Sequence, residues 1–249
     1  MRPPNVYYIN LDRRPDRRKH FEAQVPWATR VRAREGLEAE TRSLFDPCAA
    51  LKRGEYGCAA SHVDVWRHIA SGDEASAFVF EDDANISEGF YKTFERLELP
   101  NDAEVIFVSY SDYAEGQTIV PLILSEQRAS LNLRIFFEQK ITRDVGVFKP
   151  KMDPCTTGYW ITRQGARNLL AYLDGHKIGV AIDHYMNAYL KAKNIFYGLL
   201  VALATPKEGL GTDIQTDHDG TPIKKNRPFV FQTHDGDAIV IEIPKEKTD

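Results

Sequence analysis

Residues 76–83 read SAFVFEDD, and no other stretch of the chain narrows its fold as much. A strand with one face in water alternates apolar and polar side chains, whereas Ala77, Phe78, Val79 and Phe80 follow one another without a break. Such a strand is covered on both faces, as strands are in the parallel sheets of α/β domains. The run then gives way to three adjacent carboxylates, Glu81, Asp82 and Asp83. They stand at the carboxyl end of the strand, where open α/β sheets bind their ligands.

The rest of the chain follows the same plan. Strand patterns at 5–11, 29–33, 76–81, 103–111, 157–162 and 195–204 alternate with helical patterns at 14–25, 55–72, 87–99, 163–173 and 181–194. This alternation predicts an α/β fold with a mostly parallel central sheet. Two short alternating runs around Asp235-Gly236 predict a β-hairpin in the tail. The stretch 112–155 shows no clear period.

Composition excludes several classes of protein. A net charge of −4 gives no electrostatic reason to expect nucleic-acid binding. The longest apolar run, IFYGLLVALA at 195–204, is far short of the roughly 20 residues that a membrane span needs. Three scattered cysteines, Cys48, Cys58 and Cys155, make neither a disulfide framework nor a zinc ribbon. The N-terminus enters a strand pattern at once, without a secretory leader, so a cytoplasmic location is expected. A peripheral contact at the inner face of a membrane stays compatible with this.

Four clusters carry chemistry. The acids Glu81, Asp82 and Asp83 suit a hard divalent cation such as Mn²⁺ or Mg²⁺, which takes carboxylates together with substrate phosphates. The other reading of the triplet is a solvated acidic loop. Asn10, Asp12 and Arg13 stand at the end of the first strand, where a guanidinium can pair with phosphate. The basic residues that follow, Arg14, Arg17, Arg18 and Lys19, read mostly as a solvated helix face. In GEYGCAASHVDVW, Cys58, His62 and Trp66 share one helix face, with Glu55 and Ser61 nearby. Gly54 and Gly57 suggest a close backbone approach there. Asp183 is either a helix N-cap or a carboxylate facing an acceptor hydroxyl.

Taken in order, YYINLDRRPDRR, RVRAREG, GEYGCAASHVDVW, AFVFEDDANI, TTGYWITRQGARNLL and AIDHYM resemble the family 25 glycosyltransferases, which include lipooligosaccharide and collagen galactosyltransferases. The resemblance implies a GT-A type fold and a UDP-sugar donor, UDP-galactose or UDP-glucose, used with Mn²⁺ in reactions such as lipopolysaccharide biosynthesis. It implies Asp83, with Asp82, as metal ligand. Asn10, Asp12, Arg13, Glu55, Ser61, His62, Glu81 and Asp82 would border the donor, and Asp183 would be catalytic. The acceptor would be a hydroxyl of a glycan, a lipooligosaccharide or a protein. Members often carry a second acid two residues after the equivalent of Asp183, and here that place is Tyr185. The alternative is a catalytically silent glycan- or nucleotide-binding module of the same fold. The expected organisation is a transferase domain over 1–205, with 112–155 as a variable acceptor-side insertion, and a tail over 206–249.

Overall fold

The computed structural model describes residues 4–36, 43–95, 97, 99–109, 147–148, 155–199, 203–207, 209–211, 213, 229–232 and 238–241. In chain order its elements are β1 (Val6–Asn10), α1 (Pro15–Gln24), β2 (Thr29–Arg32), α2 (Arg53–Ser71), β3 (Ser76–Glu81), β4 (Ala84–Ile86), α3 (Phe90–Phe94) and β5 (Val105–Phe107). There follow β6 (Val147–Phe148), β7 (Gly158–Thr162), α4 (Arg163–Gly175), α5 (Ile182–Ala192), β8 (Tyr197–Leu199), β9 (Ala204–Pro206), β10 (Phe229–Gln232) and β11 (Ala238–Ile241).

The expected sheet is present, with strand order β2-β1-β3-β7-β5-β8-β6. Strands β2, β1 and β3 are parallel neighbours, as are β5 and β8. Only β7 and β6 pair antiparallel with their neighbours. The apolar β3 lies inside the sheet, and its two faces are covered by different helices. Phe78 and Phe80 meet Phe90 of α3, and Phe80 also meets Phe21 of α1. On the opposite face, Tyr159, the β7 partner of Val79, is hydrogen-bonded to His62 and Trp66 of α2. Burial on both sides is why the strand could not alternate.

This alternation continues into the acids. Glu81 shares the face of Val79 and turns toward α2, whereas Asp82 shares the face of Phe80 and turns toward α1. Because Ile9 stands opposite Glu81 in the parallel register, Asn10 comes level with Asp82. The acid triplet is therefore split between two sides of the sheet.

Several boundaries differ from the sequence reading. The helix expected over 87–99 is a single short helix, Phe90–Phe94. The strand expected over 195–204 ends at Leu199, and Ala204 begins β9, which pairs with β4 in a separate two-stranded sheet. Arg14 is the N-cap of α1, so the helix expected from residue 14 begins at Pro15. The tail runs pair antiparallel as β10 and β11, with their turn outside the described residues. Most of 112–155 also lies outside them. Among the described residues, no helix is long and apolar enough to cross a membrane.

Candidate active site

At the carboxyl ends of β1 and β3, one guanidinium organises two of the three acids. Asp82 Oδ1 accepts from Arg17 Nη1 at 2.9 Å, and Asp82 Oδ2 accepts from Asn10 Nδ2 at 2.6 Å. Arg17 Nη1 also lies 3.2 Å from Asp83 Oδ2. Asn10 is fixed from its other side, where its Oδ1 accepts from Arg30 Nε at 2.8 Å. Both oxygens of Asp82 are thus engaged by protein groups. Asp83 differs: its Oδ1 is buried without a hydrogen-bond partner among the described residues.

Charge state follows from these surroundings. Burial, with the neighbouring Glu81, pushes the Asp83 carboxyl up to about 7 despite Arg17. Burial also raises Asp82, against the pull of Arg17 and Asn10. For Glu81, burial pushes upward but is outweighed by His62 and the Thr156 hydroxyl, which hold the carboxyl below its ordinary value. Thr156 donates to Glu81 Oε1 at 2.7 Å.

His62 faces Glu81 from α2 and is fully buried, with Nε2 3.6 Å from Glu81 Oε1. Its Nδ1 lies 3.0 Å from the Tyr159 hydroxyl, which also accepts from Trp66 Nε1 at 3.0 Å. An indole nitrogen can only donate. The Tyr159 proton is thereby available to Nδ1, which leaves the ring proton on Nε2, pointing at Glu81.

Other expected site residues are tied to neighbouring protein groups. Glu55 Oε2 accepts from the Lys52 amide at 2.7 Å and closes a capping box at the start of α2. Ser61 accepts from the Arg34 amide and donates to the Gly57 carbonyl, at 2.9 and 2.6 Å. Asp12 is held by two residues of β2, Arg30 at 2.5 Å and Arg32 at 2.8 Å. Gly57 does make a close approach, but to protein, since a Cβ there would lie 2.5 Å from the Arg34 carbonyl oxygen. Gly158 likewise packs under the Phe80 ring, where a Cβ would come within 2.7 Å.

Asp183 is not an N-cap. The cap of α5 is Ala181, and Asp183 lies in the first turn with its Oδ1 accepting from the His184 amide at 2.8 Å. Burial raises its carboxyl, and Glu81 adds to the rise. Tyr185, two residues on, is buried and donates to the His176 carbonyl at 2.7 Å.

Sequence reasoning missed Arg17 and Asp213. Arg17 was detectable, because Phe21 stands one helical turn further on and an Arg sharing a face with a core Phe points inward. Asp213 had no such signal. It lies 2.8 Å from Arg13, 2.5 Å from Arg14 and 3.8 Å from Arg17, while the carbonyls of Leu210 and Gly211 accept from Arg14 and Arg17. A carboxylate thus sits among the arginines suited to phosphate.

A mostly parallel α/β sheet with a buried acid cluster and a ring of arginines at its strand ends defines a class of sites suited to a cation and an anionic ligand. The model of glycosyltransferase family 25 (LPS biosynthesis protein) matches residues 3–186, and the chain belongs to that family. A "Putative glycosyltransferase" of Haemophilus influenzae is 26% identical over 192 residues, 71% of this chain and 60% of that protein. The procollagen galactosyltransferase 2 of Homo sapiens is 30% identical over 37% of this chain and 17% of its own length. The inactive glycosyltransferase 25 family member 3 of Homo sapiens is 30% identical over 40% of this chain and 20% of its own. The chain therefore spans 60% of the Haemophilus influenzae protein and a fifth or less of the two human ones.

Proposed function

We propose that this chain is a metal-dependent glycosyltransferase that moves a hexose from a UDP-sugar to a hydroxyl of a glycan, lipooligosaccharide or protein acceptor. The observation that carries the reading is Asp83, a buried carboxylate with one oxygen unpartnered and a carboxyl raised to about 7. A divalent cation completes such a group, and Mn²⁺ or Mg²⁺ is the hard cation that carboxylates of this kind take. Asp83 would hold it, while Asp82 stays on Asn10 and Arg17. When bound, the cation neutralises the donor diphosphate and favours its departure.

The protein's own groups divide the remaining work. Arg17 holds Asp82 and Asp83 together, and Arg13 and Arg14 supply guanidinium for phosphate once Asp213 yields them. Glu81, fixed by Thr156, borders the sugar side. Asp183 accepts the proton of the acceptor hydroxyl, its raised carboxyl being closer to working pH than an ordinary one. The acceptor is assigned to the 112–155 side. The galactosyltransferase among the relatives supports galactose as the sugar.

Calorimetry with UDP-galactose and UDP-glucose, in EDTA and in Mn²⁺, tests this. Binding that strengthens with Mn²⁺ in wild type, but not in Asp83→Asn, is expected. Equal affinity in both buffers excludes the metal role. The second reading, a silent binding module, draws on Asp213 among the arginines and on the inactive human relative. It predicts donor binding without turnover on any hydroxyl acceptor.

A further inference from the structure

We propose that Cys58, His62 and Glu81 form a second cation site, for a borderline-soft ion such as Zn²⁺, separate from the hard-cation position at Asp83. The sulfur of Cys58, one ring nitrogen of His62 and a carboxylate oxygen of Glu81 all lie within 4.8 Å of one another. Cys58 and His62 stand one helical turn apart on α2, and Glu81 comes from the end of β3, so two elements hold the triangle.

The independent observation is His62 Nε2. It is buried, on a residue with no exposed surface, and has no hydrogen-bond partner among the described residues. Its nearest acceptor, Glu81 Oε1, is 3.6 Å away, too far for a hydrogen bond. That separation suits an edge of a tetrahedral shell, because Zn–N, Zn–O and Zn–S bonds of about 2.0–2.3 Å put ligands roughly 3.3–3.8 Å apart. Any wider gap is about 1 Å at most and is within reach of a rotation of the Cys58 side chain.

The surroundings also fit. A metal-bound imidazole is oriented through its other nitrogen, and Nδ1 of His62 already faces the Tyr159 hydroxyl at 3.0 Å. The carboxylate is steadied by Thr156. Glu81, Asp183, Asp83 and Glu55 bear electrostatically on Cys58, which gives the place a negative potential. Sulfur and imidazole together favour Zn²⁺ over Mn²⁺ or Mg²⁺. Three protein ligands leave a fourth position open, and Cys58 is only partly buried. On binding, the thiol proton leaves to solvent and the single ring proton passes from Nε2 to Nδ1, where the Tyr159 oxygen accepts it.

The site does not rest on the transferase reading, and Co²⁺ tests the two apart. Metal-free full-length protein titrated with Co²⁺ is expected to develop one equivalent of a thiolate-to-cobalt charge-transfer band, which Zn²⁺ then removes. The band should vanish in Cys58→Ser, an isosteric change at a partly exposed position that leaves folding intact. It should persist in Cys48→Ser, Cys155→Ser and Asp83→Asn. Tyr159→Phe should retain the band but weaken Zn²⁺ binding about 10–100-fold. No band in wild type, a band surviving in Cys58→Ser, or a band lost in Asp83→Asn would each overturn the proposal.

Discussion

Arg17 and Asp82 form a buried ion pair, Nη1 to Oδ1 at 2.9 Å, with each side chain 7% exposed. It explains why three acids can stand in a row at the end of β3. One acid is neutralised by α1, one faces α2, and one shares Arg17 while keeping an oxygen free. Removing the arginine should therefore cost far more than removing a surface charge. Breaking a buried pair by deleting one partner leaves an uncompensated charge, worth about 3–5 kcal/mol. Arg17→Ala should lose that much in urea unfolding, and a loss below about 1 kcal/mol would mean that water screens the pair.

The raised Asp83 carboxyl makes metal-free stability depend on pH in a definite direction. Its folded value, about 7, is above the unfolded value of about 3.9. Between those limits the folded chain keeps a proton that the unfolded chain has lost. The stabilisation is fully present below about pH 4 and is lost as pH rises through 7. Asp83→Asn removes this term, so in EDTA the variant should gain on wild type between pH 5 and pH 8. Urea midpoints that shift in parallel over this range would show that Asp83 titrates as an ordinary carboxylate.

The order of elements was legible in the sequence because hydrophobic period and glycine or proline punctuation act locally. SAFVFE could be recognised as a strand covered on both faces, and the acids were placed correctly at its end. What the acids do was not legible, since that depends on which helix covers which face. Asp82 and Asp83 are neighbours in sequence, yet one is occupied by Asn10 and Arg17 and the other keeps an oxygen unpartnered. Glu55 and Ser61 stand out by their motif, but the cap and the backbone tie that they make have no signature in it. Asp213 reaches Arg13, Arg14 and Arg17 across roughly two hundred residues of chain, a pairing with no local trace.

Gly57 is the residue that lets α2 approach the turn after β2. A Cβ there would lie 2.5 Å from the Arg34 carbonyl and 3.0 Å from the Gly36 amide, both backbone atoms that cannot swing aside. Gly57→Ala should cost about 1–3 kcal/mol through overpacking. Since Cys58 and His62 ride on the same helix, Zn²⁺ affinity should fall with it. Unchanged unfolding and unchanged Zn²⁺ binding would show that the helix shifts freely.

Asp213 competes for the guanidinium groups of Arg13 and Arg14, in pairs that remain partly open to water. Pairs of this kind contribute about 0–1 kcal/mol, so replacing the acid should barely change stability. It should, however, release both arginines for phosphate. Asp213→Asn is expected to tighten UDP-sugar binding by up to roughly fivefold, the equivalent of about 1 kcal/mol. Weaker binding in this variant would instead give Asp213 a direct part in holding the donor or its cation.

Asp183 separates a structural from a chemical role most cleanly. It sits in the first turn of α5 without capping it, and an asparagine oxygen can accept from the His184 amide as the carboxylate does. Loss of its charge near the helix N-terminus costs about 0.3–1 kcal/mol. Asp183→Asn should therefore fold and bind donor much as wild type does. If Asp183 takes the acceptor proton, turnover at saturating donor should nevertheless fall on the order of 10²–10⁴-fold. Its raised carboxyl also implies that wild-type turnover rises with pH until that group has ionised, a limb that the variant should lack. A rate within twofold of wild type, with the same pH profile, would remove Asp183 from the chemistry and leave it only the His184 contact.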